Sequence, residues 1–284
     1  MFQRLAAGIG FSLATALTLS TTAQAASFTT NVSQNTNPEA DIWLRSITQN
    51  GVTFNNFNLV NRADILSNTP ITRGLNPATT TSNPEDRTKR NDNSGAASTD
   101  RGDLATAPLP VSGINNPTGT EIAAFLGNTN LNNIIDTEDN GSFGINLFFN
   151  RALRADTTGL DNLFFWERGM NSDLGIQAID AAGNLIGNFL KLTRNTQTAA
   201  GYRIDTMEID NIQQVGSWGV RLAQLGVTSA AGIRVTANGS YRGPDFKVIA
   251  RDTASVPEPA TMAGLGLIAG ALAVSRRRQV KQGS

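Results

Sequence analysis

Histidine and cysteine are both absent from this 284-residue chain. Without an imidazole or a thiol it cannot assemble a Ser-His-Asp triad, a Cys-His pair or a conventional zinc site. The chemistry left open is that of paired carboxylates, of a lysine or tyrosine base, or of an oxygen-liganded metal. The lack of cysteine also excludes disulfides, so stability has to come from packing. Net charge is missing too, because 23 basic and 23 acidic residues cancel. No overall field steers such a chain toward nucleic acid or an anionic surface, and no nucleic-acid partner is expected. Aromatic residues make up only 6% of the sequence, so most of them are needed for a core.

Long uncharged apolar runs occur at the two ends. At the N-terminus, Arg4 precedes an apolar stretch from Leu5 to Leu19, and Ala23-Gln24-Ala25 places small residues where a signal peptidase needs them. Residues 1–25 therefore read as a signal peptide cleaved before Ala26. An N-terminal membrane helix is the alternative, but the run is short and diluted by Ser and Thr from Thr18 onward. At the C-terminus, residues 253–284 hold Val256-Pro257-Glu258-Pro259, an uncharged Ala/Gly/Leu-rich span over 260–275, and Arg276-Arg277-Arg278. The two prolines fix φ and bias their predecessors toward extended geometry, so Val256 to Pro259 is a stiff peptide of the kind a protease cleft can hold. The span, as a helix, would cover roughly 24 Å, slightly short of a bilayer core unless its flanks snorkel. The arginines place the extreme C-terminus on the cytoplasmic side.

The order of these parts, Pro257-Glu258-Pro259, then a short apolar span, then an arginine cluster close to the C-terminus, resembles the PEP-CTERM sorting signal of bacterial exosortase substrates. That resemblance implies a partner, an integral-membrane protease that removes the helix and passes the protein to the cell surface or extracellular matrix. It also implies a precursor held transiently in the inner membrane. A plain C-terminal anchor accounts for the helix and the arginines but leaves Pro-Glu-Pro unexplained.

Residues 26–252 then form the exported domain, large enough to bury a core without staples. Short segments rich in β-formers recur between turn residues, among them 42–47, 52–59, 143–149, 163–167, 174–179, 185–189, 202–209, 218–222, 233–236 and 246–250. Gln49-Asn50-Gly51 and Asp180-Ala181-Ala182-Gly183-Asn184 carry hairpin signals. The expected fold is all-β, an antiparallel, jelly-roll-like sandwich. Thr120–Gly127 has a capping residue, apolar periodicity and a terminating glycine, which predicts one short helix. From 67 to 118 prolines punctuate a polar stretch that includes Glu85-Asp86-Arg87-Thr88-Lys89-Arg90, and it reads as a long polar loop, disordered in its middle.

Candidate sites in this domain are few. Asp136, Glu138 and Asn140, with Gly141 after them, echo the start of a calcium loop, but Leu147 stands where the closing carboxylate belongs, so a hairpin turn is the expectation. Glu167 with Asp173, or Asp205 with Glu208, could pair as acid and base, although Arg168, Arg203 and Arg221 are near in sequence to neutralise them. Trp43, Trp166, Trp218, Tyr202 and Tyr241 are the rings that could stack on sugars; Trp218, flanked by Ser217 and Gly219, and Trp166 are the glycan-contact candidates. Segments 165–169, 216–221 and 243–248 resemble a cyanobacterial group of exosortase-dependent surface proteins, a resemblance that implies a secreted surface protein and supplies no catalytic residue. The resulting expectation is a structural or adhesive matrix protein of the biofilm type, with no catalytic residue, no cofactor and no enzymatic activity. A glycan-binding module of the exopolysaccharide is the alternative, and a carboxylate-dependent glycosidase a more distant one.

Overall fold

The computed structural model describes residues 27–33, 37–70, 97–109, 116–208 and 211–253. The signal-peptide residues Ala23, Ala25 and Ala26, the charge run 85–90 and the sorting segment from Val256 to Arg278 lie outside them. In chain order the strands are β1 (Thr29–Val32), β2 (Leu44–Gln49), β3 (Val52–Phe54), β4 (Phe57–Asn58), β5 (Val60–Asn68), β6 (Ala97–Arg101), β7 (Asn133–Thr137), β8 (Phe143–Arg154), β9 (Leu163–Arg168), β10 (Leu174–Ile179), β11 (Leu185–Leu192), β12 (Thr198–Ile204), β13 (Gln213–Val220), β14 (Ser229–Ala237) and β15 (Phe246–Arg251). One α-helix, α1 (Gly119–Leu126), lies between β6 and β7.

These strands build three sheets with every pairing antiparallel. The five-stranded sheet runs β11-β10-β14-β8-β5, the seven-stranded sheet β12-β13-β9-β15-β7-β6 with β4 on β15, and the small sheet β1-β2-β3. The expected sandwich is there, and a third layer is added to it. Leu163, Phe165, Trp218, Phe246 and Val248 of the larger sheet pack on Ile145, Leu147, Ile176, Ile233 and Val235 of the five-stranded one. On the opposite face of the same large sheet, Phe164, Trp166, Val215 and Ile249 pack on Phe28, Leu44 and Ile47. Phe28 holds this second core by edge-on contacts, its ring centroid 4.8 Å from Phe164 and 5.8 Å from Trp166. A strand covered on both faces has no polar side to show, which is why Leu163-Phe164-Phe165-Trp166 is uninterruptedly apolar where a sandwich strand would alternate.

The local signals produce the elements they predict. Asn50 and Gly51 both adopt positive φ, 51° and 77°, and close β2 onto β3 with Gln49 opposite Val52. Asp180 accepts from the amides of Ala182 and Asn184 and closes β10 onto β11. Thr118 caps α1, two residues before the expected start, and forms a reciprocal capping box with Glu121.

Other expectations are corrected. The span 67–118 is not loop throughout, because β6 lies in it with four of its five residues buried. Its polar residues reach buried partners, Asp100 pairing with Arg168 and Ser98 with the Asp136 carbonyl. The turn from Asp136 to Ser142 is not a hairpin: β7 pairs with β6 and β15, whereas β8 pairs with β5 and β14, so these residues form a corner that carries the chain from one sheet to the other. The strand expected over 202–209 ends at Ile204, since Asp205 and Met207 donate their amides to the carbonyls of Pro38 and Arg101 and leave the sheet.

Candidate functional site

The most highly charged place in the described interior is Arg168, the last residue of β9, which is 2% exposed. Its neighbours come from β6, from β7, from the residue before β15 and from the segment after β12. Asp245, just before β15, accepts Nε at 3.2 Å and Nη2 at 2.8 Å on one carboxylate oxygen, while its other oxygen accepts the Thr137 amide at 2.8 Å. Asp136 in β7 accepts from Nη2, Asp100 in β6 accepts from Nη1 at 3.3 Å, and Thr206 closes the site by accepting from Nη1. The guanidinium fork holds three aspartates from separate segments of the chain at fixed angles, which the single ammonium of a lysine could not.

Negative charge outnumbers positive here. The three aspartates hold Arg168 charged despite burial, raising its pKa still further. Burial, and then the neighbouring Asp136, push Asp100 up to about 6, and burial pushes Asp245 well up despite Arg168. Half-buried Glu208 lies against the same group, pushed to about 11 by desolvation and by Asp136 and Asp100, and it hydrogen-bonds to the Asp136 and Glu138 side chains. Two carboxyl groups bond only through a proton, so the group formed by Glu208, Asp136 and Glu138 retains a shared proton at neutral pH. Asp100, Asp136 and Glu208 each offer an oxygen within 4.8 Å of the others, a grouping that shares Asp136 with the calcium-loop echo and in which Arg168 already lies on Asp100 and Asp136. Of the calcium-loop candidates, Asp136 is turned to Arg168, Glu138 stands beside Glu208, and Asn140 sits on the exposed side of the corner.

The structure separates the other expected sites. Trp218, expected to offer a face to a sugar, is fully buried with its indole N–H on the Thr193 carbonyl at 3.1 Å. Trp166 is 1% exposed and donates to Thr30 at 2.9 Å. Both rings are spent on the two cores, because a sheet covered on both faces buries whichever way its aromatics point. Glu167 and Asp173 each have partners of their own. Glu167 is buried, accepts from Gln197 at 3.0 Å, and is pushed by desolvation to about 8. Asp173 is held below the usual carboxylate range, against the cost of burial, by Arg194 and Lys191. Asp205 accepts the Asn211 amide, and Glu208 goes to the Arg168 centre.

Sequence reasoning did not assemble Asp100, Asp245 and Arg168, nor did it single out Lys247, which is fully buried and donates to the Phe125 carbonyl and to Asn128 at the end of α1. The available signal was a charge inside or directly ending an apolar strand, as in Leu163–Arg168 and Phe246–Arg251.

Among the described residues no helix is long and apolar enough to cross a membrane. The apolar span 260–275 and the Pro-Glu-Pro before it lie outside the described residues. Residues 255–279 match the PEP-CTERM protein-sorting motif. The match takes in Val256, Pro257, Glu258, Pro259, Arg276, Arg277 and Arg278, all of the expected sorting residues. PEP-CTERM implies an exported chain whose precursor is anchored in the membrane and processed by exosortase, a membrane protease. No curated protein and no solved structure matches the chain.

Proposed function

We propose that this chain is a non-enzymatic structural or adhesive component of the cell surface or extracellular matrix, delivered there by exosortase processing at its C-terminus. The PEP-CTERM motif at residues 255–279 carries the reading. Support for a non-catalytic role comes from the carboxylates. Asp100, Asp136 and Asp245 are committed to Arg168, Asp173 to Arg194 and Lys191, and Glu167 to Gln197. They tie strands together inside the protein instead of facing a substrate across a cleft, which is the arrangement glycoside hydrolysis needs.

The processing step has a direct test in the Pro257→Ala/Pro259→Ala variant. Restoring both amide N–H donors and freeing φ lets the membrane helix extend outward through residues 256–259 and removes the stiff peptide that the protease reads. The expected outcome, by fractionation and immunoblot, is accumulation of the uncut chain in the inner membrane with its domain outside. A plain anchor would be indifferent to the change, so a distribution like that of the wild type overturns the proposal.

A further inference from the structure

A cleft of about 440 Å³ opens between α1 and β5, lined by Val60, Asn61, Arg62 and Ala63, by Thr120, Ala123 and Ala124, and by Asn150. The way the helix is seated creates it. At Gly119 a Cβ would collide with the Ala63 carbonyl, and at Gly127 one would lie 2.6 Å from the Val60 carbonyl, so α1 touches the strand backbone at both of its ends through glycine. Between these contacts the helix presents only Thr120, Ala123 and Ala124, which are too small to fill the space. On the opposite wall β5 carries a bulge: Val60 pairs with Phe149 and Arg62 with Phe148, which leaves Asn61 unpaired between them. Bulges of this kind re-aim a side chain and occur near binding sites.

The lining selects a chemistry. It contains no carboxylate, so it has no ligand set for a cation. Its single positive charge, Arg62, is shared with Asp64 at 3.5 Å, which leaves little for an anion. The Arg62 guanidinium carbon lies over the Phe148 ring, 3.7 Å from its centroid, which fixes Arg62 at the wall of the cleft. The side chains of Asn61, Thr120 and Asn150 make no hydrogen bond to another described residue. A carboxamide donates and accepts at once, which suits adjacent hydroxyls of a sugar, each of which also does both. The alanine floor suits the C–H face of the same ring, and the volume falls within the range of small-ligand sites.

We propose that the α1–β5 cleft is a carbohydrate subsite that takes a neutral, hydroxyl-rich ligand. The inference rests on the surface-display reading only in that export brings the cleft into contact with extracellular polysaccharide. It also moves the expected glycan contact away from Trp218 and Trp166, which the two cores consume.

The test uses the full-length chain purified in a non-glycosidic detergent and probed on an array of neutral and uronic-acid oligosaccharides, followed by titration of the strongest neutral oligosaccharide. Two variants accompany it: Asn61→Ala/Asn150→Ala, which removes exposed amides, and Ala124→Trp, which fills the space. The expected result is binding of neutral oligosaccharides that weakens at least tenfold in both variants while the thermal melt of the double-alanine variant stays as in wild type. Absence of neutral-glycan binding, binding confined to uronic acids, or equal affinity in wild type and the double-alanine variant overturns the proposal. None of these outcomes bears on C-terminal processing, which is read separately.

Discussion

Arg168 shows how far one side chain can be over-committed. Three buried aspartates, from β6, from β7 and from the residue before β15, converge on its guanidinium, and removing it takes away the cation they share. Arg168→Met is expected to cost about 3–5 kcal/mol in urea unfolding of the full-length chain in detergent; a loss under about 1 kcal/mol, within the range of exposed pairs, would mean the aspartates do not depend on it. Glu167 gives a sharper test through pH. Folded, it keeps its proton to about pH 8, and unfolded it releases it near 4.5. Between those values the folded chain binds more protons, so stability falls as pH rises through the window and levels off above it. Asp100 and Glu208, also raised, add to the same slope, whereas Asp173, which is lowered, contributes stability that is lost on the acid side as pH falls below about 4. Because Gln resembles the protonated acid, Glu167→Gln should flatten the decline of melting temperature between pH 5 and about 8; equal slopes in the two proteins would refute the assignment. Little of this was legible beforehand. Arg168 and Glu167 stood in plain view at the end of an apolar strand, but their partners come from positions dozens of residues away, and composition carries no trace of which charges meet.

Elements were legible where their cause is local. Asn50-Gly51, Asp180–Asn184 and the box between Thr118 and Glu121 each rest on side chains and φ values within a few residues. Thr118→Ala should therefore cost about 1 kcal/mol through loss of the cap. Gly119→Ala should cost more, roughly 1–3 kcal/mol, because its methyl would meet the Ala63 carbonyl and push α1 off β5. Chemical denaturation of both variants checks the order, and a Gly119→Ala variant as stable as the wild type would show that α1 is not pinned there. The corner at Asp136–Ser142 was misread because a turn between two β-formers looks the same whether the strands pair with each other or with different sheets. β6 was missed because its buried polar residues have the composition of a solvated loop, and the cation that neutralises Asp100 inside, Arg168, arrives from β9.

At the scale of the whole molecule, a seven-stranded sheet is buried on both faces, by a five-stranded sheet and by a three-stranded one. This middle layer explains two facts at once: a chain with few aromatics hides Trp166 and Trp218 completely, and a chain without disulfides still has two cores to hold it. The all-β antiparallel architecture was readable from strand spacing, whereas the third layer was not, since burial on a second face registers only as missing alternation in Leu163–Trp166. The PEP-CTERM motif of the C-terminal segment lies in the order of its parts and was readable in full. Mass spectrometry of the mature protein's C-terminus from its native host is the most direct test of the central claim. Processing at the PEP-CTERM motif predicts a terminus near Pro257, with the span 260–275 and the arginines gone; a mature protein that still ends at Ser284 would contradict it.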